Sequence, residues 1–238
     1  MVQFQLTDDL LNKIANLISA KKDSILKKIV KDIHFADMAD IINSLNEFQG
    51  IYLIKLFDSE KTSDILTELD ENVREKILKA LSAKEIAVEI KELDSDDAAD
   101  ILGELPDDRK DKVISEISDN DLADDLIELL SYEEDSAGGL MAKELVKANE
   151  NWTVLRCLGE IKKQGENVTR VHSIYVVDNN DKLIGRLSLK DLITSQSKKK
   201  IKDIFIPNVD SVNVNEKGEE VAKIMSKYDL EAIPVVNN

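Results

Sequence analysis

The sequence predicts a multidomain protein of α + α/β class, with a solenoid of short helices in the first half and a small α/β module in the second. Three observations lead there. An apolar pair returns every twelve residues between Ile42 and Leu129. The chain is 42% hydrophobic but only 4% aromatic, with three prolines in 238 residues, which favours aliphatic, helix-rich packing. Beyond Tyr132 the pattern turns to short β-rich runs separated by amphipathic stretches.

Leu45, Phe57, Leu69, Leu81, Leu93, Leu105, Ile117 and Leu129 mark the twelve-residue step. Three residues before each stands another aliphatic: Ile42, Ile54, Leu66, Leu78, Ile90, Leu102, Ile114 and Leu126. One continuous helix is excluded, because Asn46, Asp58, Asp70, Ser82, Asp94, Pro106 and Ser118 follow the repeated position and are helix openers. The pattern predicts helices of roughly two turns, joined by tight turns and stacked side by side. A helix that short is unstable alone in water, so neighbours must bury its apolar edge.

Charge divides the chain unequally. Residues 1–131 hold 31 acids and 16 bases, whereas residues 132–238 hold 17 and 16. The net charge of −16 makes a nucleic-acid partner a poor match and favours cations or basic partners. The densest acidic stretch runs from Leu93 to Asp111. Within it Asp96, Asp100 and Glu104 are spaced by four, which predicts one shared helix face. Such a face is either solvated or holds a cation. Carboxylates without nearby His or Cys suit hard ions, Mg²⁺ and also Ca²⁺ or Mn²⁺.

Cys157 stands alone, so a disulfide framework is excluded and a reducing, cytosolic setting fits. The N-terminus lacks a signal-peptide layout, and no run of about 18 apolar residues is present to span a bilayer. Ser, His and Asp occur without a nucleophile elbow, and Gly138-Gly139 lacks the P-loop lysine, so an enzyme is not expected. His34 is expected to cap or pack near a helix start, and His172 has no visible carboxylate partner. Lys198–Lys202 reads as a solvated linker.

In the second half, residues 132–141 read as a linker. VKAN predicts a strand, and the stretch after Thr153 a helix. SIYVVD predicts a buried strand, Asn179-Asn180-Asp181 a turn, KLIGRLSL the returning strand and KDLITS a helix. The order then recurs as DSVNV, EKGEEVAKIMSKYD and AIPVV. The second copy stops after its apolar strand, so the module is expected to be cut short. The boundaries read as an acidic helical domain over 1–131, a linker and first motif over 132–205, and a partial second motif over 206–238.

The β-α-β-β-α order, with IYVVD followed by Gly185–Leu192, resembles a CBS domain. HFADMADII (His34 to Ile42) resembles the start of the acidic helical domain of MgtE-type magnesium transporters. YEEDSAGGLM (Tyr132 to Met141) and KYDLEAIPVV resemble that family's bridge and second CBS copy. The resemblance implies a right-handed, armadillo-like solenoid followed by CBS modules. It implies a homodimer formed through those modules, hung on the cytoplasmic face of the membrane beneath a C-terminal transmembrane domain. It also implies that Mg²⁺ bridges the acidic domain to the CBS side and closes the pore when Mg²⁺ is high.

By that resemblance the metal residues are Asp64, Asp96 and Asp100 on the helical domain, with Gly139 through its carbonyl, Glu219 and Asp229 on the CBS side. Lys217 replaces a family aspartate. Ser188 and Asp191 occupy positions where CBS domains contact an adenine nucleotide, though Ser188 also reads as a turn residue and Asp191 as the cap of the following helix. His172 and Ser173 stand where the family has tyrosines, removing an adenine platform. Two alternatives stay open: an adenine-nucleotide sensor, and an acidic adaptor for a basic protein partner.

Overall fold

A computed structural model of the protein describes residues 4–165, 168 and 170–237; residues 1–3 of the N-terminal reading and Asn238 lie outside it. Two compact units divide the chain. One runs to Leu93 and takes in Asp97–Ala123; the other comprises Asp94–Asp96 and the chain from Asp124.

Among the described residues ten helices precede the first strand: α1 (Asp8–Ser19), α2 (Asp23–Val30), α3 (Phe35–Asn43), α4 (Glu47–Ile54), α5 (Ser59–Glu68), α6 (Glu71–Ala80), α7 (Ala83–Ile90), α8 (Ser95–Gly103), α9 (Asp107–Glu116) and α10 (Asn120–Leu129). The predicted openers mostly start them. Asn46 and Ser82 form capping boxes with Gln49 and Glu85, and Asp58 accepts the Lys61 N–H. Asp70 and Pro106 occupy the cap position without a side-chain bond. The last start is shifted: Asp119, not Ser118, accepts the N–H groups of Asp121 and Leu122.

Ile42, Ile54, Leu66, Leu78, Ile90, Leu102 and Leu126 are buried as the stripe predicts, and Ile114 is half-buried. Each full burial contributes about 1.5–3 kcal/mol. The stacking differs from a simple row of neighbours. Helix α5 packs on α3, α7 on α5, α9 on α7, and α6 on α4. One twelve-residue step reverses the chain and a second returns it, so the structural unit is a pair of helices.

Cations recur at the ends of these helices. Lys61 Nζ donates to the carbonyls of Val30, Lys31 and Ile33 at 3.0, 3.1 and 2.9 Å, just past the end of α2. Arg109 donates to the carbonyls of Leu78 and Leu81 where α6 ends. Arg74 donates to those of Leu66, Thr67 and Leu69 where α5 ends. Each cation adds a donor to carbonyls in or just past the last turn of a helix and lies at the negative end of its dipole.

In the other unit, β1 (Val146–Asn149), β2 (Ile174–Val177), β3 (Leu183–Leu187) and β4 (Ile206–Pro207) form one mixed sheet in that order. The β1–β2 pairing is parallel, and the β2–β3 and β3–β4 pairings are antiparallel. Strand β4 was not foreseen. Helix α11 (Val154–Gln164) is capped by Thr153. Helix α12 (Leu189–Thr194) follows β3, and a core of Val146, Ala148, Val154, Cys157, Ile174, Val176 and Leu187 lies between sheet and helices. Gly185 is required where β4 approaches: a Cβ there would stand 2.3 Å from the Ile206 carbonyl oxygen.

The recurring copy gives β5 (Val212–Asn213) and β6 (Val235–Val236), paired in parallel, with α13 (Gly218–Tyr228) between them. Two segments read as linkers are held in place. Within 132–141, Ala137 and Gly138 donate N–H groups to the carbonyls of Glu216 and Val214, and Asp135 accepts from Gly218. Within 198–202, Lys199 accepts from Val154 and Ile201 is buried, so this run is not a free solvated linker.

Candidate functional site

Helix α8 carries Asp96 and Asp100, one turn apart. Its start is built by side chains that sequence reasoning missed. Ser95 is fully buried, and its N–H and hydroxyl donate to the Glu144 carboxylate at 3.1 and 2.9 Å. The Lys143 N–H in turn donates to the Ser95 hydroxyl at 2.8 Å. The Lys143 ammonium pairs with Glu128 at 2.6 Å and Asp125 at 3.4 Å. No local signal joins Ser95 to Glu144, 49 residues away.

This frame leaves one oxygen unanswered. Asp96 Oδ1 is buried with no hydrogen-bond partner among the described residues. A buried carboxylate oxygen without a donor is costly, so it fits a cation or a bridging water. Asp100 is exposed.

The third residue of the expected face does not join it. Glu104 lies beyond α8 and turns inward to Arg74, with Oε1 2.9 Å from the guanidinium Nε. The i, i+4 spacing places Asp96 and Asp100 together, and the end of the helix removes Glu104.

The remaining expected metal residues are dispersed in sequence and by unit. Asp64, on α5, is half-buried; burial raises its carboxyl above the ordinary value, with His34 nearby opposing the shift. Asp64 and Asp100 belong to the first unit, and Asp96, Gly139, Glu219 and Asp229 to the second. Glu219 pairs with Lys223 at 2.9 Å. Asp229 ends α13 in the left-handed conformation, with φ 52°. Gly139 lies so near the Glu133 carbonyl oxygen, 2.4 Å from where its Cβ would stand, that a side chain does not fit. Lys217 pairs with Asp135 at 3.2 Å. Among the described residues no group of three or more His, Cys, Asp or Glu side chains gathers as a metal cage.

Ser188 caps α12 through the Asp191 N–H and donates its hydroxyl to the Asp191 carboxylate at 2.6 Å. A cavity of about 130 Å³ in the same unit is lined by Ser173, Tyr175, Arg186, Asn208, Asp210 and Leu230 among others, and Ser188 and Asp191 are not in that lining. An aromatic wall is therefore present in Tyr175, two residues beyond Ser173. Burial raises the Tyr175 hydroxyl above its ordinary value, with Arg186 opposing. His34 caps α3 by accepting the Ala36 N–H, whereas His172 stands 3.5 Å from Glu231, a partner not visible in sequence.

A carboxyl outside the expected set is pushed well above its ordinary value. Glu89, on α7, is pushed up to about 7 by burial, with Glu92, Glu85 and Asp58 adding repulsion. Its Oε2 is buried without a hydrogen-bond partner among the described residues. The folded state then holds a proton that the unfolded chain has released, so stability falls as pH rises from 4.5 to about 7. Glu89→Gln is expected to match the parent in urea unfolding at pH 5. At pH 8 it should exceed the parent by on the order of 1 kcal/mol, after allowance for solvent screening.

Comparison with known proteins gives a consistent result. The model of the MgtE intracellular N domain matches residues 33–135, and that of the CBS domain matches 137–198 and 201–238. The magnesium transporter MgtE of Thermus thermophilus is 39% identical over 109 residues, covering 46% of this chain and 24% of that protein. MgtE of Bacillus subtilis is 27% identical over 236 residues, covering 99% and 52%. The chain thus spans about a quarter to half the length of these curated relatives. A crystal structure of the cytosolic domain of the Mg²⁺ channel MgtE in complex with ATP is similar at TM-score 0.87 and 28% identity, over 96% of this chain and 93% of that one. The soluble part of a magnesium transporter is similar at 0.79 and 26%, over 97% and 90%.

Proposed function

The chain belongs to the MgtE family of magnesium transporters, joining an MgtE intracellular N domain to CBS domains, and we propose that it senses Mg²⁺ at the cytoplasmic face of the membrane and closes the parent's pore when Mg²⁺ is plentiful. The observation that carries this reading is the buried, unanswered Asp96 Oδ1, one helical turn before Asp100. Asp96 and Asp100 would hold the ion, with Asp64 on the helical domain and the Gly139 carbonyl, Glu219 and Asp229 on the CBS side. Bound Mg²⁺ supplies charge neutralisation and keeps several waters, so few protein carboxylates are needed. Without it, the excess acids of the helical domain repel and favour an open arrangement. The ion shifts the equilibrium only by its differential affinity for the closed state. Lys217, paired with Asp135, puts a cation where the family has a carboxylate and weakens the CBS side of the site.

The CBS side would form a homodimer through α11 and α12, which leave Leu155 and Ile193 67% and 69% exposed. Adenine-nucleotide binding is a second reading. It is favoured by the cavity that Tyr175 and Arg186 line and by the ATP held in the similar channel domain.

Small-angle X-ray scattering of the parent's whole cytoplasmic part, with and without millimolar Mg²⁺, tests the sensor. The radius of gyration is expected to fall with Mg²⁺ in the natural sequence and to stay constant in Asp96→Ala/Asp100→Ala. Constant dimensions in the natural sequence, with ATP binding intact, would move the assignment to the nucleotide reading.

A further inference from the structure

Helices α1 and α2 carry a different charge from the rest of the acidic half. Residues 1–32 hold six bases and four acids, whereas residues 33–131 hold ten bases and 27 acids. Five of those six bases, Lys21, Lys22, Lys27, Lys28 and Lys31, fall within eleven residues. All five are exposed, and none forms an ion pair among the described residues. They lie before residue 33, where the match to the N-domain model begins.

Lys28 and Lys31 are three apart and Lys27 and Lys31 four apart, so they repel one another along α2. The helix dipole accounts for Lys27 and Lys28, which close α2. It does not account for the apolar side chains beside them. Ile25, three residues before Lys28, is 49% exposed, and Phe48 on α4 is 66% exposed. Phe48 and Tyr52 stand with ring centroids 6.2 Å apart, and the Tyr52 hydroxyl donates to Asp23 at 2.5 Å, at the first residue of α2. The aromatic pair is thereby tied to the lysine-bearing helix.

We propose that this face docks on the anionic lipid surface of the membrane that holds the parent protein, an inference that rests on the transporter reading above. Lysines meet headgroup phosphates, while Ile25 and Phe48 enter the boundary beneath them. A soluble polyanion would satisfy the lysines but leave both apolar side chains in water. The acidic remainder of the domain is repelled by the same surface. That repulsion is screened beyond about 8 Å at physiological salt, so the contact is weak and reversible.

Co-sedimentation of the whole chain with phosphatidylglycerol/phosphatidylcholine vesicles, and with phosphatidylcholine alone, tests the inference in chelator-containing buffer. Binding is expected only to the anionic vesicles and falls with added salt. A lysine near the surface contributes roughly fivefold, so Lys27→Gln/Lys28→Gln/Lys31→Gln should weaken binding roughly a hundredfold. Phe48→Ser should weaken it while keeping its salt dependence, and serves if the triple variant fails to fold. Absent binding, or equal binding by these variants, overturns the inference. So does lysine-dependent self-association in light scattering without vesicle binding, which would assign the face to a second copy. Mg²⁺-driven compaction, read on the parent's cytoplasmic part, separates the two readings: compaction without lipid binding sinks only this inference, and lipid binding without compaction sinks only the sensor.

Discussion

Replacing Arg74 by methionine is expected to destabilise the helical unit by about 3–5 kcal/mol. Arg74 and Glu104 are both largely withdrawn from water, with side chains 16% and 20% exposed. The guanidinium also serves the carbonyls of Leu66, Thr67 and Leu69. Methionine fills a similar volume but leaves the Glu104 carboxylate partly buried without its cation, and those carbonyls without their donor. Urea unfolding followed by circular dichroism measures the loss. Arg74→Met/Glu104→Gln should recover part of it, because the stranded charge is gone while the carbonyls stay unserved. A double variant no more stable than Arg74→Met would mean that the ion pair contributes little and the carbonyl bonds account for the effect.

Ile65→Ala is expected to lower stability by about 2–5 kcal/mol. Ile65 is fully buried on α5, the helix packed against both α3 and α7. The lost side chain removes apolar burial and leaves a cavity in the core beside α5, which short helices joined by tight turns cannot easily collapse. Ile25→Ala, at an exposed position of α2, should change the same measurement by less than about 0.5 kcal/mol. A similar loss at both positions would contradict the packing described.

The twelve-residue stripe was legible because each helix brings its own evidence: an opener, an apolar edge and a following turn. The pairing of helices was not, because a stripe says which face is buried and not which neighbour covers it. Asp96 and Asp100 could be singled out by spacing and charge density alone. The inward turn of Glu104 could not, because it depends on Arg74, 30 residues earlier in the chain. The same holds for Tyr175, which reads as one more strand residue until β3, β4 and the second copy close a cavity around it.

By itself the sequence determined where most helices of the repeat start, where the chain changes from helical repeat to strand–helix copies, and which half holds the negative charge. These properties are written within a few residues of one another. Only the tertiary structure decided that Ser95 is clamped by Glu144, that residues 132–141 are bonded to residues 214–218 rather than free, and that one Asp96 oxygen is buried without a donor among the described residues. The physical reason is that desolvation and hydrogen-bond satisfaction depend on neighbours distant in the chain, and periodicity carries no record of them.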